Sequence, residues 1–172
     1  MGWTLIQHTA LTSSAASVTL GSGGTIPQTY KTLTLVISSR SDITPGYPDD
    51  GIFLAFNGSS SSYSNRVLYG NGTIAQSATN SYTTTKVYVS ASNTSSSTTN
   101  TFASIRVDLP NYSGSTNKAL SSDGVIENNA TLAIQALNAG LWSNTAAITS
   151  IVITPNSGNF VSGSTFTLYG LS

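Results

Sequence analysis

Leu141 to Leu171 holds two β-forming runs, and no other stretch constrains the fold as much. The second run, Ser164 to Gly170, alternates Phe166 and Leu168 with Thr165, Thr167 and Tyr169. That period of two sends alternate side chains to opposite faces, as in a half-buried strand. The first run, Ala147 to Thr154, sets Ile148, Ile151 and Ile153 among Thr and Ser, again β-formers. Between them Pro155, Asn156, Gly158 and Asn159 supply turn chemistry. The expectation is a closing antiparallel hairpin.

The same pattern recurs along the chain. Trp3 to Thr9 alternates and reads as a first strand, and Ser17 to Leu20 as a short second one closed by the Gly21–Gly24 turn. Thr29 to Arg40 is the strongest interior strand, with Leu33, Leu35 and Ile37 on one side and Val36 on the other. Ile52 to Asn57 is almost wholly apolar, which predicts a central strand buried on both faces. Arg66 to Gly70 and Ser81 to Ala91, with Tyr82, Val87 and Val89, continue the series. Ser92 to Thr99 is of low complexity and reads as a mobile tip. In Phe102 to Pro110, Ala103, Ile105, Val107 and Leu109 share one face. Lys118 to Glu127 and Thr131 to Leu141 read as two more strands. Eight to ten strands with frequent turns, and no strand–helix alternation, imply an all-β protein: one domain over residues 1–172, an antiparallel β-sandwich of jelly-roll type. An immunoglobulin-like sandwich is the alternative.

Composition narrows the function. Charged residues make up 7% of the chain, against about 25% in average globular proteins, and the formal net charge is +0. Lys and Arg are spread singly, so there is no electrostatic footprint for nucleic acid. No run approaches the 18 or so apolar residues of a membrane span, and the N-terminus lacks the pattern of a signal peptide. Near-neutral surfaces tend to associate, which predicts that much of this one is covered in an assembly.

Catalytic chemistry is sparse. Without cysteine, thiolate nucleophiles and Cys-based metal sites are excluded. His8 is the one histidine, it has no acid nearby in sequence, and no Gly-x-Ser-x-Gly elbow occurs. It reads as an edge or sheet-surface residue. The carboxylates available to a glycosidase are Asp42, Asp49, Asp50, Asp108, Asp123 and Glu127. Asp108 sits two positions from Arg106 on one strand face, where an ion pair accounts for both. Asp49-Asp50-Gly51 offers hard oxygen ligands of the kind calcium takes, but without the array of an EF-hand it reads as an acidic turn. No cofactor or metal is expected. The sequons at Asn57, Asn71, Asn93, Asn111 and Asn129 follow from an Asn/Ser/Thr-rich composition.

Tyr47, Tyr63, Tyr69, Tyr82 and Tyr112 lie near loops or strand ends. Tyrosine beside Asn, Ser and Gly suits carbohydrate and protein contact surfaces, because the ring gives area at small entropic cost. Candidate contact residues are Trp3, Tyr47, Tyr63, Arg66 and Tyr112.

Several stretches resemble a family of small tailed-phage virion proteins. They are Tyr30 to Asp42; Leu54 to Gly58 followed by Tyr63 to Gly72; Ile105 to Tyr112 with Lys118; and Trp142, Ala146 to Ile151 and Phe160 to Gly170. The closing Gly163-Ser-Thr-Phe-Thr-Leu-Tyr-Gly170 is the most specific part. The family pattern carries an Asp shortly after the Asn57–Gly58 pair, where this chain has Ser59 to Ser62. The resemblance implies a jelly-roll module that decorates a capsid or forms a fibre head, commonly as a homotrimer. Partners would be further copies of itself and the major capsid protein, with no nucleic acid and no membrane. The expected location is the outer surface of the virion, after synthesis in the host cytoplasm. The first expectation is therefore a structural, non-enzymatic capsid decoration (cement) protein. The second is a tail-fibre module that binds a receptor or surface glycan.

Overall fold

The computed structural model describes residues 2–22, 25–43, 49–78, 84–126 and 133–172. The tyrosines Tyr47 and Tyr82, Glu127 and the Asn129 sequon lie outside the described residues. The alternating runs become strands in two antiparallel sheets, and the chain is an all-β sandwich. The larger sheet holds β1 (Trp3–Ala10), β3 (Thr32–Ser39), β5 (Tyr63–Gly70), β6 (Ala75–Ala78), β8 (Ala103–Pro110), β9 (Lys118–Ile126), β10 (Ile134–Trp142) and β12 (Thr165–Leu171). The smaller holds β2 (Val18–Leu20), β4 (Asp49–Phe56), β7 (Val87–Asn93) and β11 (Ile151–Pro155). Their orders are β1-β12-β3-β8-β9-β10-β5-β6 and β2-β11-β4-β7. The chain thus changes sheet at every connection except β5–β6, β8–β9 and β9–β10, and the hairpins β5–β6 and β9–β10 widen the larger sheet.

The inward faces form one apolar core. Leu33, Leu35 and Ile37 of β3 and Ala103, Ile105, Val107 and Leu109 of β8 are buried, while Val36 points out, as the alternation predicts. Ile52, Leu54 and Phe56 of β4 face them from the smaller sheet. Phe53 is buried on the other face of β4, edge-on to Tyr88 and beneath the Lys86 ammonium at 4.4 Å. The expected central strand is therefore buried on both faces over Ile52 to Leu54 and at Phe56, while Ala55 is half-buried and Asn57, past the end of β4, is exposed.

The expected closing hairpin does not form. β11 lies between β2 and β4 in one sheet, and β12 between β1 and β3 in the other. Each is an interior strand with two neighbours, which suits its buried Ile or Phe/Leu face better than a two-stranded ribbon does. The Pro155–Ser164 connection crosses between the layers. Phe160 bridges to Ala15 and Ser41, and Asp42 accepts hydrogen bonds from Asn159 N (2.7 Å) and Asn159 Nδ2 (3.1 Å).

The segment Ser92–Thr99 is also not a free tip. The Arg40 guanidinium donates to the carbonyls of Ser97 (3.1 Å), Thr98 (2.8 Å) and Thr101 (3.0 Å), and Ser92, Asn93 and Thr94 are buried. Burial pushes the Arg40 pKa down from its usual value.

One seam between the layers is unusually close. Facing sheets stand about 10 Å apart in an ordinary sandwich. Where β10 crosses β7, a Cβ on Gly140 would meet Val87 Cγ2 at 2.6 Å and Leu120 Cδ1 at 2.8 Å. The β4–β7 register shifts between Ile52 and Phe53, which pair with Ser90 and Tyr88, so Val89 is the extra residue of a bulge. Its carbonyl accepts from Ser122 Oγ and from Asn138 Nδ2 (2.8 Å), both on the opposite sheet.

Candidate contact surface

Residues of the larger sheet that point away from the core line up across its outer face. One row runs His8, Thr167, Val36, Arg106, Asp123, Leu137 and Leu68, one residue from each of seven strands. The next runs Leu5, Tyr169, Thr34, Asp108, Ser121, Ala139 and Arg66. The first row ends in Leu137 and Leu68 and the second begins with Leu5 and Tyr169, while Arg106, Asp123 and Asp108 carry charge in the middle and Arg66 at one end.

The β1 side is built around Trp3, which is 50% exposed. Its ring meets Tyr169 edge-on at 5.7 Å, and the Arg106 guanidinium lies 5.1 Å from its centroid. Such a cation–π contact is worth about 0.5–1 kcal/mol at an exposed site. Arg106 in turn pairs with Asp108 at 3.0 Å, and Thr34 Oγ1 donates to Asp108 at 2.6 Å. The expected Arg106–Asp108 pair is thus present. His8 lies beside Thr167 Oγ1 at 2.8 Å on the edge strand, as expected of a sheet-surface histidine.

The opposite side is apolar. Leu68, Val125 and Leu137 are exposed on β5, β9 and β10, with Ile74 exposed in the β5–β6 turn. Leu68, Val125 and Leu137 line a shallow groove with Ala75, Ile134 and Gln135. Sequence reasoning passed over Leu68, Ile74, Val125 and Leu137. The signal was there in β9 and β10, where the residues opposite in phase to the core include Val125 and Leu137.

Two of the predicted contact residues are corrected. Tyr63 is 4% exposed and Tyr112 is 0% exposed, so neither is surface. Tyr63 stacks on Trp142 (centroids 6.0 Å, planes 14° apart), and its hydroxyl accepts from Phe56 N at 2.8 Å. Burial raises its pKa, against the hydrogen bonds from Phe56 and to Ser59. The Tyr112 hydroxyl donates to the Pro27 carbonyl. In both cases a backbone partner satisfies the hydroxyl, which lets the ring go inside. Arg66 is exposed on β5, at the far end of the row from Tyr169. Trp3 and Arg66 are therefore on the outer face, and Tyr47 lies outside the described residues.

Two charged groups away from this face, Lys118 and Asp50, tie the structure together. Lys118 is 1% exposed, and its ammonium donates to the carbonyls of Gly114 (2.7 Å), Thr116 and Thr145 (3.4 Å). Burial lowers its pKa. Asp50 accepts from Ser157 N at 3.0 Å, tying β4 to the crossing loop. Asp108 and Asp123 line one groove with Arg106. Among the described residues no group of three or more His, Cys, Asp or Glu is placed to hold a metal ion, and no helix is long and apolar enough to cross a membrane. What the outer face offers chemically is contact: aromatic and aliphatic area around one clamped ion pair.

Compared with known proteins, the chain matches no family model, no curated protein and no solved structure.

Proposed function

We propose that this chain is a structural virion protein, a capsid decoration protein that braces neighbouring capsid subunits as a homotrimer. The observation that carries this reading is the outer face of the larger sheet, with Trp3, Leu5, Val36, Leu68, Val125 and Leu137 exposed on a chain of 7% charged residues. Large apolar side chains exposed together on one sheet face, on either side of a charged strip, mark a surface that meets another macromolecule. The strand order supports the reading. Without the two widening hairpins it becomes β1-β12-β3-β8 facing β2-β11-β4-β7, which we read as a jelly-roll wrap, an architecture that capsid proteins use. The resemblance at Trp142, Ala146 to Ile151 and Gly163 to Gly170 points the same way. A trimer that touches several capsomers gains avidity without a tight single contact.

The test joins the mass of the protein in solution to antibody labelling of intact virions. A trimeric mass with label over the capsid is expected. A monomeric mass, or label on tail tips alone, overturns the reading.

One observation favours a second reading, a glycan-binding module of a tail fibre. Trp3 is held between Tyr169 and Arg106 with its ring half-exposed, the arrangement an aromatic platform for a sugar needs. Binding on a glycan array that is lost in Trp3→Ala would establish it, and a blank array at high protein concentration would remove it.

A further inference from the structure

The chain contains two Asn-Gly pairs, Asn57-Gly58 and Asn71-Gly72, and the structure treats their side chains in opposite ways. Both glycines have positive φ, 69° and 84°, and both lie in open space. The asparagines differ. Asn57 reaches across to a distant loop. Its Oδ1 accepts from Thr149 N (2.8 Å), Thr149 Oγ1 (3.1 Å) and Ser150 N (3.2 Å), and its Nδ2 donates to Ala147 O (2.7 Å). The side chain is therefore directed away from its own following peptide, and the amide nitrogen is held.

Asn71 folds back on its own turn. Its Oδ1 accepts from Thr73 N (3.1 Å) and Ile74 N (3.0 Å), an Asx-type turn between β5 and β6. Two backbone N–H groups thus converge on the side-chain carbonyl oxygen. The side chain is therefore turned toward the residues that follow it in its own turn, with no bond to any distant segment among these contacts. Donors aimed at an oxygen on which negative charge develops lower the barrier to attack at a carbonyl; Asn57 Oδ1 has such donors too, but they belong to a distant loop that also holds its Nδ2, so what separates the two is that clamp. A nucleophile held beside that carbonyl gains further from proximity.

We propose that Asn71 is a site of self-modification by deamidation and that Asn57 is protected from it. In the reaction the Gly72 backbone nitrogen loses its proton and attacks Asn71 Cγ. A C–N bond forms, the Cγ–Nδ2 bond breaks, and Nδ2 leaves as ammonia with a proton from solvent, giving a cyclic imide. Water then opens the imide at either carbonyl, leaving aspartate or isoaspartate. The Thr73 and Ile74 amides stabilise the oxyanion formed on Oδ1 during attack. Each conversion adds one carboxylate to a chain of formal net charge +0, next to exposed Ile74 and Leu68. The isoaspartate product also lengthens the main chain of the β5–β6 turn by one carbon. This proposal does not rest on the virion reading.

The full chain is incubated in mildly alkaline buffer, once folded and once in urea, and each Asn-Gly peptide is followed by peptide-mapping mass spectrometry that resolves isoaspartate. In the folded protein Asn71 is expected to convert at least about tenfold faster than Asn57, the factor set by opening a clamp worth one or two net hydrogen bonds. In urea the two are expected to convert at similar rates. Equal rates in the folded protein overturn the proposal, as does a folded protein in which Asn71 is as inert as Asn57. A ratio in urea equal to the folded ratio overturns it too, because local sequence alone would then account for the difference.

Discussion

The hairpin β9–β10 has two faces made by the same two strands, one pressed on β7 and one open. On the inner face Gly140 removes a side chain altogether, Ser122 and Asn138 bond to the bulged Val89 carbonyl, and Trp142 is buried between Tyr63 and Phe56. On the outer face Asp123, Val125 and Leu137 stand exposed at the positions between. The inner face has given up side-chain volume to let backbones approach, while the outer face keeps large apolar side chains that touch little. Close fit is therefore spent on stability inside and left available for association outside.

Substitutions along this one hairpin test that contrast. Trp142→Ala should cost the most, about 3–5 kcal/mol in urea unfolding, because it empties a fully packed aromatic site. Gly140→Ala should cost about 1–3 kcal/mol by the same measurement, since the new methyl group must displace Val87 and Leu120. Leu137→Ser should change stability by no more than about 0.5 kcal/mol, yet weaken self-association as read by mass in solution. A Leu137→Ser variant as destabilised as Gly140→Ala would show the outer face to be packed. Unchanged association would move the contact elsewhere on the sheet.

Much of the strand content was legible. The β3 and β8 alternations predicted their buried faces residue by residue, because each has one wet and one dry side. β6 was missed because Ala75-Gln-Ser-Ala78 has no apolar phase to read. Pairing was not legible for β11 and β12. Alternation identifies a strand but not its neighbour, and a turn-rich connection looks the same whether it reverses within a sheet or crosses between two. Tyr63 shows a different limit. It is in phase with Val67, which argued for the core, but its loop-side position argued for the surface. The hydrogen bond from Phe56 N that settles the matter is a tertiary contact. The Ser-rich run after Ala91 looked free because its anchor, Arg40, lies about fifty residues earlier in the chain.

β1 and β12 are neighbours in the larger sheet although His8 and Thr167, which touch across them, are 159 positions apart. β12 also separates β1 from β3, so those two early strands cannot complete the sheet by pairing with each other. On a ribosome adding about 5–20 residues per second, they wait through most of synthesis for the strand that joins them. Folds dominated by such distant pairings form slowly, and unpaired edges meanwhile invite other chains. Crowded synthesis should therefore favour aggregation before the last strand arrives, and slower expression at lower temperature should raise the yield of folded protein.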